Sequence, residues 1–553
     1  MRCQAISLML PFGMLFSAQA GISAPAFPEG VASGDVTNSA AVVWTRLAGG
    51  GEVRLEVATD ESFGHIVHTA STSADSPTDF AVKFDVPNLL PATEYFFHFV
   101  DVSTAEPSMD GHFKTAPAAD ATTAFRFVYS GDSDAADQPF RVLQYATDDA
   151  PDLWFWAGDT IYGDDSAGGL PPATTLSDYQ AKHRQNRADS FLQNLLRASP
   201  VWAQWDDHEV ANDYDGGDVE PEIGQARVVA GQSAFFDYMP IRPQQVMDDP
   251  RRIYRSFRYG SLAEFFILDC RQYRSADLSR EGGGPDPRAY FIPIPQFDII
   301  AKLQDPSRTM LGKPQLEWLK NGLKASGAKW KFVLSSVPLT SLMVLPYDRW
   351  DGYEAERYEL LRYLDTEAIS GVVILSADIH ANIYNPDVTR FQRDHLGADY
   401  SPCFAVPEFV AGPIATNTFR QEVRDIGAFL FGSTPADFGE SVFFNTVFGS
   451  VVLRVAYENK LSFVETDRFA YLLVDVTPDG VTFTHKATIS DSTIADPPLE
   501  ILNTVTLTED PKPNCGLGLG IPGCMVFLMC TTCRSRIRRP ASRKSFGSES
   551  VTT

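Results

Sequence analysis

The chain has 553 residues, of which 44% are hydrophobic and 21% charged, so it can bury a large core and is neither disordered nor fibrous. Its formal net charge of −25 argues against a nucleic-acid-binding surface, because a polyphosphate partner needs a basic footprint. An anionic substrate must instead be held by local cations, and bound metal ions are the strongest of these.

Residues 1–20 read as a secretory signal. Arg2 gives the positive start, Ala5 to Phe16 is mainly apolar, and Ala18-Gln19-Ala20 is a small-residue cleavage pattern. The mature protein is therefore expected to be periplasmic, at the cell surface or secreted. Residues 26–117 read as a small N-terminal β-sandwich domain. Val42-Val-Trp44 and Val53 to Val57 are strand-like, and Leu90 to Phe99 resembles a turn and strand of fibronectin or immunoglobulin-like sandwiches. Ala116 to Thr123 is a linker.

Residues 124–490 change to an α/β character. Phe125 to Tyr129 is a strand running into Ser130-Gly-Asp132-Ser-Asp134, and Pro139 to Tyr145 is helical. Leu153 to Trp156 is a strand before Gly158-Asp159-Thr-Ile-Tyr162, and Asp178 to Ala198 reads as one helix. Val201 to Trp205 leads into Asp206-Asp207-His208-Glu209, with Asn212 and Asp213 just beyond. Ala263 to Leu268 is an apolar strand ending at Asp269-Cys-Arg271, and Pro314 to Ser326 is a helix with Pro at its first position. Trp330 to Leu334 and Gly371 to Leu375 are further strands, the latter entering Ser376-Ala-Asp378-Ile-His380. Asp348 and Asp351 form another acidic cluster, and Phe469 to Val476 with Gly480 to Thr484 reads as a closing hairpin.

The tail differs again. Gly516 to Cys533 is an uncharged stretch of about 18 residues, marginally long enough to span a bilayer, and Arg534, Arg536, Arg538 and Arg539 follow. Residues 515–540 are thus expected to be an apolar anchor with membrane attachment, or a sorting tail that is processed. The 7 cysteines are scattered between the signal, two body positions and this tail, so the body is not a disulfide scaffold.

The acidic clusters share one form: an apolar run, then Asp. In an open α/β sheet, ligands bind beyond the carboxyl ends of the strands. Carboxylates, an imidazole and a phenol are hard donors that suit iron, calcium, magnesium or manganese. Gly158 lets the backbone turn at the strand end, so that Asp159 can bridge two cations and Tyr162 reach the same site; alone, the motif also describes a capping Asp with a packed Tyr. Asp378 and His380 fall on one side of an extended segment. Arg271 and Arg274 can clamp a phosphate, or Arg271 can form a structural pair with Asp269.

In this order the clusters resemble those of the PhoD-type alkaline phosphatases, within the calcineurin-like metallophosphatase superfamily. The resemblance runs from Phe27 to Asp35 and Val43-Trp-Thr-Arg46, through the motifs above and Met310 to Trp318, to Glu408 to Pro413 and the hairpin at Tyr471. It implies a four-layer αββα metallophosphatase domain behind the sandwich, and exported hydrolysis of small-molecule phosphomonoesters or phosphodiesters. It implies iron(III) held partly by Tyr162, with calcium beside it. Asp132 and Asp159 would serve the iron, with Asp159 bridging; Asp207 and Asn212 would serve the second metal region, and Asp378 and His380 would close the site. His208 would stabilise the transition state or protonate the leaving group, with Arg271 at the phosphate. Where many of these proteins carry Ser-Cys, this chain has Gly131-Asp132, which opens the first metal position to other divalent ions. Ala377 stands where the family has Gly and fits if its φ is negative. Two alternatives are a phospholipid or nucleotide phosphodiesterase on the same scaffold, and a non-catalytic surface protein binding calcium and phosphate.

Overall fold

The computed structural model describes residues 25–216, 224–242, 249–276, 304–342, 348–390 and 405–508. The expected signal with its cleavage pattern, and the expected anchor or sorting tail with its cysteines, lie outside the described residues.

Two large sheets pack face to face. The first is ten-stranded. Its path runs Glu500–Thr508, Gly480–Ile489, Arg468–Val476, Phe125–Ser133, Leu153–Trp156, Val201–Ala203, Val31–Gly34, Ala41–Arg46 and Ala81–Val86, with Pro413–Ala415 paired beside Phe125–Ser133. The second is seven-stranded, in the order Arg255–Tyr259, Ala263–Ile267, Trp330–Leu334, Val372–Ser376, Glu408–Val410, Asn382–Asn385 and Phe463–Glu465. The strands read as near-continuous apolar runs because each central one is covered on both faces. Between the sheets lies an aromatic core: Phe127 meets Phe155, Phe265 and Phe332 edge-on at 5.3 to 5.4 Å. Burying each such ring contributes roughly 2–3 kcal/mol.

Helices cover both outer faces and complete an αββα order. Val142–Asp148, Ser190–Ala198 and Gly224–Tyr238 pack on the first sheet, and Gly312–Ala325 and Glu354–Thr366 on the second. Two helix boundaries differ from the sequence reading. The expected helix over residues 178–198 is two helices, Leu176–Arg187 and Ser190–Ala198. Asp189 breaks it by accepting the N–H groups of Phe191 and Leu192, so that it caps a new helix rather than continuing the old one. The later helix begins at Gly312, which puts Pro314 third rather than first.

The N-terminal region forms the expected β-sandwich, and one of its two layers continues into the first large sheet. Ile66–Ala74, Gly51–Ala58, Glu94–Asp101 and Gly111–Lys114 form a four-stranded sheet, with a core shared between it and the opposing strands. Those opposing strands, Val31–Gly34, Ala41–Arg46 and Ala81–Val86, are the end of the ten-stranded sheet. The joint is the parallel pairing of Gly34 with Val201. A Cβ on Gly34 would lie 2.5 Å from the carbonyl oxygens of Val201 and Pro240, so only glycine allows this approach.

Candidate metal centre

The acidic clusters converge at the carboxyl ends of the parallel strands, where neighbouring carbonyls and loops meet. Asp132 ends Phe125–Ser133; Asp159 and Tyr162 follow Leu153–Trp156; Asp206, Asp207 and His208 follow Val201–Ala203; Asp378 and His380 follow Val372–Ser376. Four overlapping groups have ligand atoms all within 4.8 Å of one another: Asp132, Asp159 and His380; Asp159, Asp207 and His208; Asp206, Asp207 and Asp378; and Asp207, Asp213 and Asp348. Asp159 belongs to two groups and Asp207 to three.

Backbone geometry at the site is strained. Asp132, Asp159, Asp213, Asp378 and His380 have φ of 61°, 47°, 57°, 70° and 52°. A non-glycine residue there costs roughly 1–3 kcal/mol and persists only where its surroundings hold it. Ala377 is not among these residues, so its backbone accepts a side chain as expected; the turn falls on Asp378. Gly158 has φ of 105°, and a Cβ there would lie 2.7 Å from that of Asp206.

Individual contacts define three regions. In the first, the Tyr162 hydroxyl lies 3.0 Å from His380 Nε2, and Asp132 Oδ1 lies 4.0 Å from the same nitrogen. Nδ1 of His380 is 2.9 Å from Glu422 Oε1, an ion-pair contact whose N–H direction is not aligned for a hydrogen bond. In the second, His208 Nδ1 is 2.6 Å from Asp164 Oδ1, and its ring stacks on Tyr162 with centroids 4.2 Å apart. Asp164 also accepts from the backbone N–H of Asn212 at 2.7 Å. The His208 backbone N–H lies between Asp207 Oδ1 at 3.0 Å and Asp159 Oδ1 at 3.3 Å.

The third region is centred on Arg271, which is fully buried. Its guanidinium bonds Asp206 and Asp348, and lies 3.1 Å from Asp378 and 3.6 Å from Asp207. Arg274 donates to Asp348 at 2.6 Å and to the Asp213 carbonyl at 2.6 Å. Ser336 donates to Asp206 at 2.7 Å, and Glu209 accepts the N–H groups of Asp206 and Thr160 at 2.8 and 2.6 Å.

These positions sort the sequence-based expectations. Asp132, Asp159, Tyr162, Asp207, His208, Asp378 and His380 come together. Asn212 sits at the rim with an exposed side chain. Arg271 is not paired through its side chain with Asp269: that carboxylate accepts the backbone N–H groups of Arg271 and Gln272 and the Trp205 indole. Its guanidinium is instead engaged by site carboxylates. Asp164 and Glu422 were missed. Asp164 lies just past the Gly158-Asp-Thr-Ile-Tyr162 turn, which was its only signal, and Glu422 lies in a helix the sequence did not announce.

The electrostatics call for cations. Burial pushes Asp132 up to about 7, with Asp206 adding to the rise and His380 opposing it. Burial likewise raises Asp159 well above its ordinary value, against the pull of His208. Asp378 is raised strongly by burial and by Asp206 and Asp348. Burial, with Asp159 and Asp132, holds the Tyr162 phenol well above its usual range, so its ionised form needs a positive charge close by. Burial depresses His380, but Glu422 and the other carboxylates outweigh it and lift the ring to about 9. One oxygen each of Asp132 and Asp206 is buried without a hydrogen-bond partner. Unpartnered buried carboxylate oxygens, crowded acids and a hard O/N donor set fit a multi-metal site. Among the described residues no helix is long and apolar enough to cross a membrane.

Comparison with known proteins gives consistent matches. The model for PhoD-like phosphatase matches residues 127–485, and that for the PhoD-like phosphatase N-terminal domain matches residues 14–117. Alkaline phosphatase D of Bacillus subtilis (strain 168) is 31% identical over 408 residues, covering 66% of this chain and 66% of that protein, just under two thirds of its length. A solved structure of PhoD aligns with a TM-score of 0.72 and 25% identity, over 88% of this chain and 91% of that one. A purple acid phosphatase from yellow lupin (Lupinus luteus) seeds is more distant, at a TM-score of 0.49 and 13% identity over 87% of this chain and 74% of that one.

Proposed function

Since the chain belongs to the PhoD-like phosphatase family, we propose that it is an exported, metal-dependent phosphoesterase acting on small-molecule phosphate esters. The observation that carries this reading is the overlap of the four carboxylate and imidazole groups around Asp159 and Asp207, at strand ends whose strained backbone is held by packing. The partly exposed His208–Asp164 pair beside this cluster favours a catalytic site over an inert binding protein, which has no use for an oriented acid there.

On this reading Asp132, Asp159, Tyr162 and His380 would hold iron(III), and Asp207, Asn212 and Asp378 would hold calcium, with Asp159 in reach of both groups. The carboxylate at Asp132 widens the choice of metal at the first position. Bound metals supply positive charge to the phosphoryl oxygens and acidify a water nucleophile. The chain's own residues do the rest. His208, oriented through Nδ1 by Asp164, presents Nε2 as the ring nitrogen for the leaving oxygen. Arg271 is a fixed charge that neutralises Asp206, Asp348 and Asp378, and its guanidinium would be the fork available to a phosphate oxygen at this site. Tyr162 and His208 stack, so the first position and the acid are in direct contact.

Export rests on the pattern at residues 1–20, and anchoring or sorting on residues 515–540; deleting everything after Asn514 should leave a soluble, active protein. The matched family spans support a division into residues 26–117 and 124–490. The deciding experiment is metal analysis of purified protein with phosphomonoester and phosphodiester hydrolysis measured side by side, before and after chelation. Hydrolysis should disappear on chelation, return with metal and fall by orders of magnitude in Asp378→Ala. Full activity in a metal-free protein, or in a folded Asp378→Ala variant, refutes the reading. A visible band that is lost in Tyr162→Phe supports iron(III); a colourless, fully active protein refutes it.

A further inference from the structure

We propose that Glu422 is a positioning residue for the metal centre: its carboxylate fixes the His380 ring so that Nε2 faces Asp132 and Asp159. This rests on the metal-site reading above. His380 needs such support. Its backbone sits at φ of 52°, so the chain does not by itself favour the conformation that delivers the ring. The ring is buried, with Nε2 3.0 Å from the Tyr162 hydroxyl and 4.0 Å from Asp132 Oδ1. Nδ1 is buried on the other side and, among the described residues, makes no aligned hydrogen bond. Glu422 Oε1, at 2.9 Å, is the carboxylate that reaches it.

The helix carrying Glu422 is placed for this task. Phe419–Phe431 starts at Thr418, which with Gln421 forms a capping box, and Glu422 sits in the first turn. The Phe419 N–H donates to the His380 carbonyl at 3.1 Å, so the helix start grips the backbone of the residue whose ring Glu422 touches. Thr418 Oγ1 donates to Asp467 at 2.9 Å, and the Arg420 N–H to the Thr466 carbonyl at 3.1 Å. The helix terminus is thereby tied to the short connection between Phe463–Glu465 of the second sheet and Arg468–Val476 of the first. A carboxylate at the second nitrogen of a metal-binding imidazole sets its tautomer and orientation, and losing it typically weakens metal binding about 10–100-fold. A half-exposed ion pair with no such duty would be worth little. The two cases differ in what an isosteric, uncharged side chain does.

The test uses full-length protein stripped of metal and titrated with Co(II), whose d–d absorption reports the ligand set, with a chelator in competition. Wild type, Glu422→Gln, Glu422→Asp and His380→Ala are compared. In Glu422→Gln the tightest Co(II) equivalent should weaken about 10–100-fold, with a displaced d–d band and an unchanged melting temperature in the metal-free state. Glu422→Asp should recover part of the affinity. Wild-type affinity and spectrum in Glu422→Gln, with one equivalent lost in His380→Ala, overturn the role of Glu422 and leave the site reading intact. Wild-type binding in His380→Ala overturns both. Weaker binding in Glu422→Gln that merely tracks a lowered metal-free melting temperature also overturns the proposal, because it assigns Glu422 to the fold.

Discussion

Replacing Asp164 with Asn keeps the volume beside His208 and removes its charge. The two carboxylate oxygens face two donors, His208 Nδ1 at 2.6 Å and the Asn212 N–H at 2.7 Å. An amide offers an oxygen to only one of them and turns its NH2 on the other, so at least one charge-assisted bond is lost. Such a bond is worth about 1.5–3 kcal/mol, which converts to about a 10- to 150-fold fall in kcat when the loss falls on the transition state. KM and metal content should change little, because Asp164 belongs to none of the four ligand groups. Burial pulls the His208 pKa down, but Asp159, Asp207 and Asp164 outweigh it and hold the ring well above its ordinary value. Removing one of those charges lowers that pKa, so the alkaline limb of the kcat profile should move to lower pH. Steady-state hydrolysis of a phosphomonoester across pH, with metal content measured on the same samples, reads both effects. A kcat within about threefold of wild type and an unmoved alkaline limb would refute the pairing as a catalytic device.

Three further expectations follow from particular contacts. Gly158→Ala combines a φ of 105° with a Cβ 2.7 Å from Asp206, and should cost about 2–6 kcal/mol in denaturant unfolding. Gly131→Ala, whose nearest contact would be 3.2 Å, should cost far less; equal midpoints for the two would show that the turn at Gly158 is not constrained. Arg271→Ala strands Asp206, Asp348 and Asp378 together and should lower metal-free stability by about 3–5 kcal/mol, with divalent metal restoring part of it in a thermal melt. No rescue by metal would mean that Arg271 and cations do not share these carboxylates. His485 is buried and donates Nε2–H to the Val410 carbonyl at 3.0 Å, and burial lowers its pKa to about 4. Its unfolded form takes up a proton first, so stability falls as pH drops below about 6.5, by about 3 kcal/mol on reaching pH 4. His485→Gln should flatten that part of the stability profile, and an unchanged acid slope would count against it.

Much of the site could be read from the sequence because it is built where strands end. Trp330–Leu334 and Val372–Ser376 are buried throughout and apolar but for Lys331 and Ser376, as a central strand covered on both faces tends to be. An acid at the end of such a run has few places to go except the common carboxyl edge. Pairings across distant segments left weaker traces. Asp164 stands among other acids of an acidic turn, and only the three-dimensional proximity of His208 singles it out. Glu422 meets His380 through a helix whose neighbour Val442–Asn459 is rich in Val and Phe, residues that favour strands as readily as buried helices. Arg271 was legible as a cation near the site; its four acidic neighbours come from three other loops and could not be counted from spacing. The break at Asp189 is a competition between continuing a helix and capping a new one, which local composition does not decide.

The joint between Gly34 and Val201 makes the N-terminal strands a stopper on the large sheet. With residues 31–86 removed, Val201–Ala203 would become a bare edge, two strands away from Phe125–Ser133 and carrying the loop of Asp206, Asp207 and His208. Unpaired edges recruit other chains, and a sheet so exposed is prone to assemble with copies of itself. The seal is fastened by Asp35, whose buried carboxylate is 2.8 Å from Arg255, while Arg255 also reaches the Ala203 carbonyl at 3.1 Å. Both the edge and its fastening join segments far apart in the chain, so they form late in folding. Until then a nascent molecule displays the strand that leads into its own chemistry, and a segment made earlier in the chain is the one that closes it off.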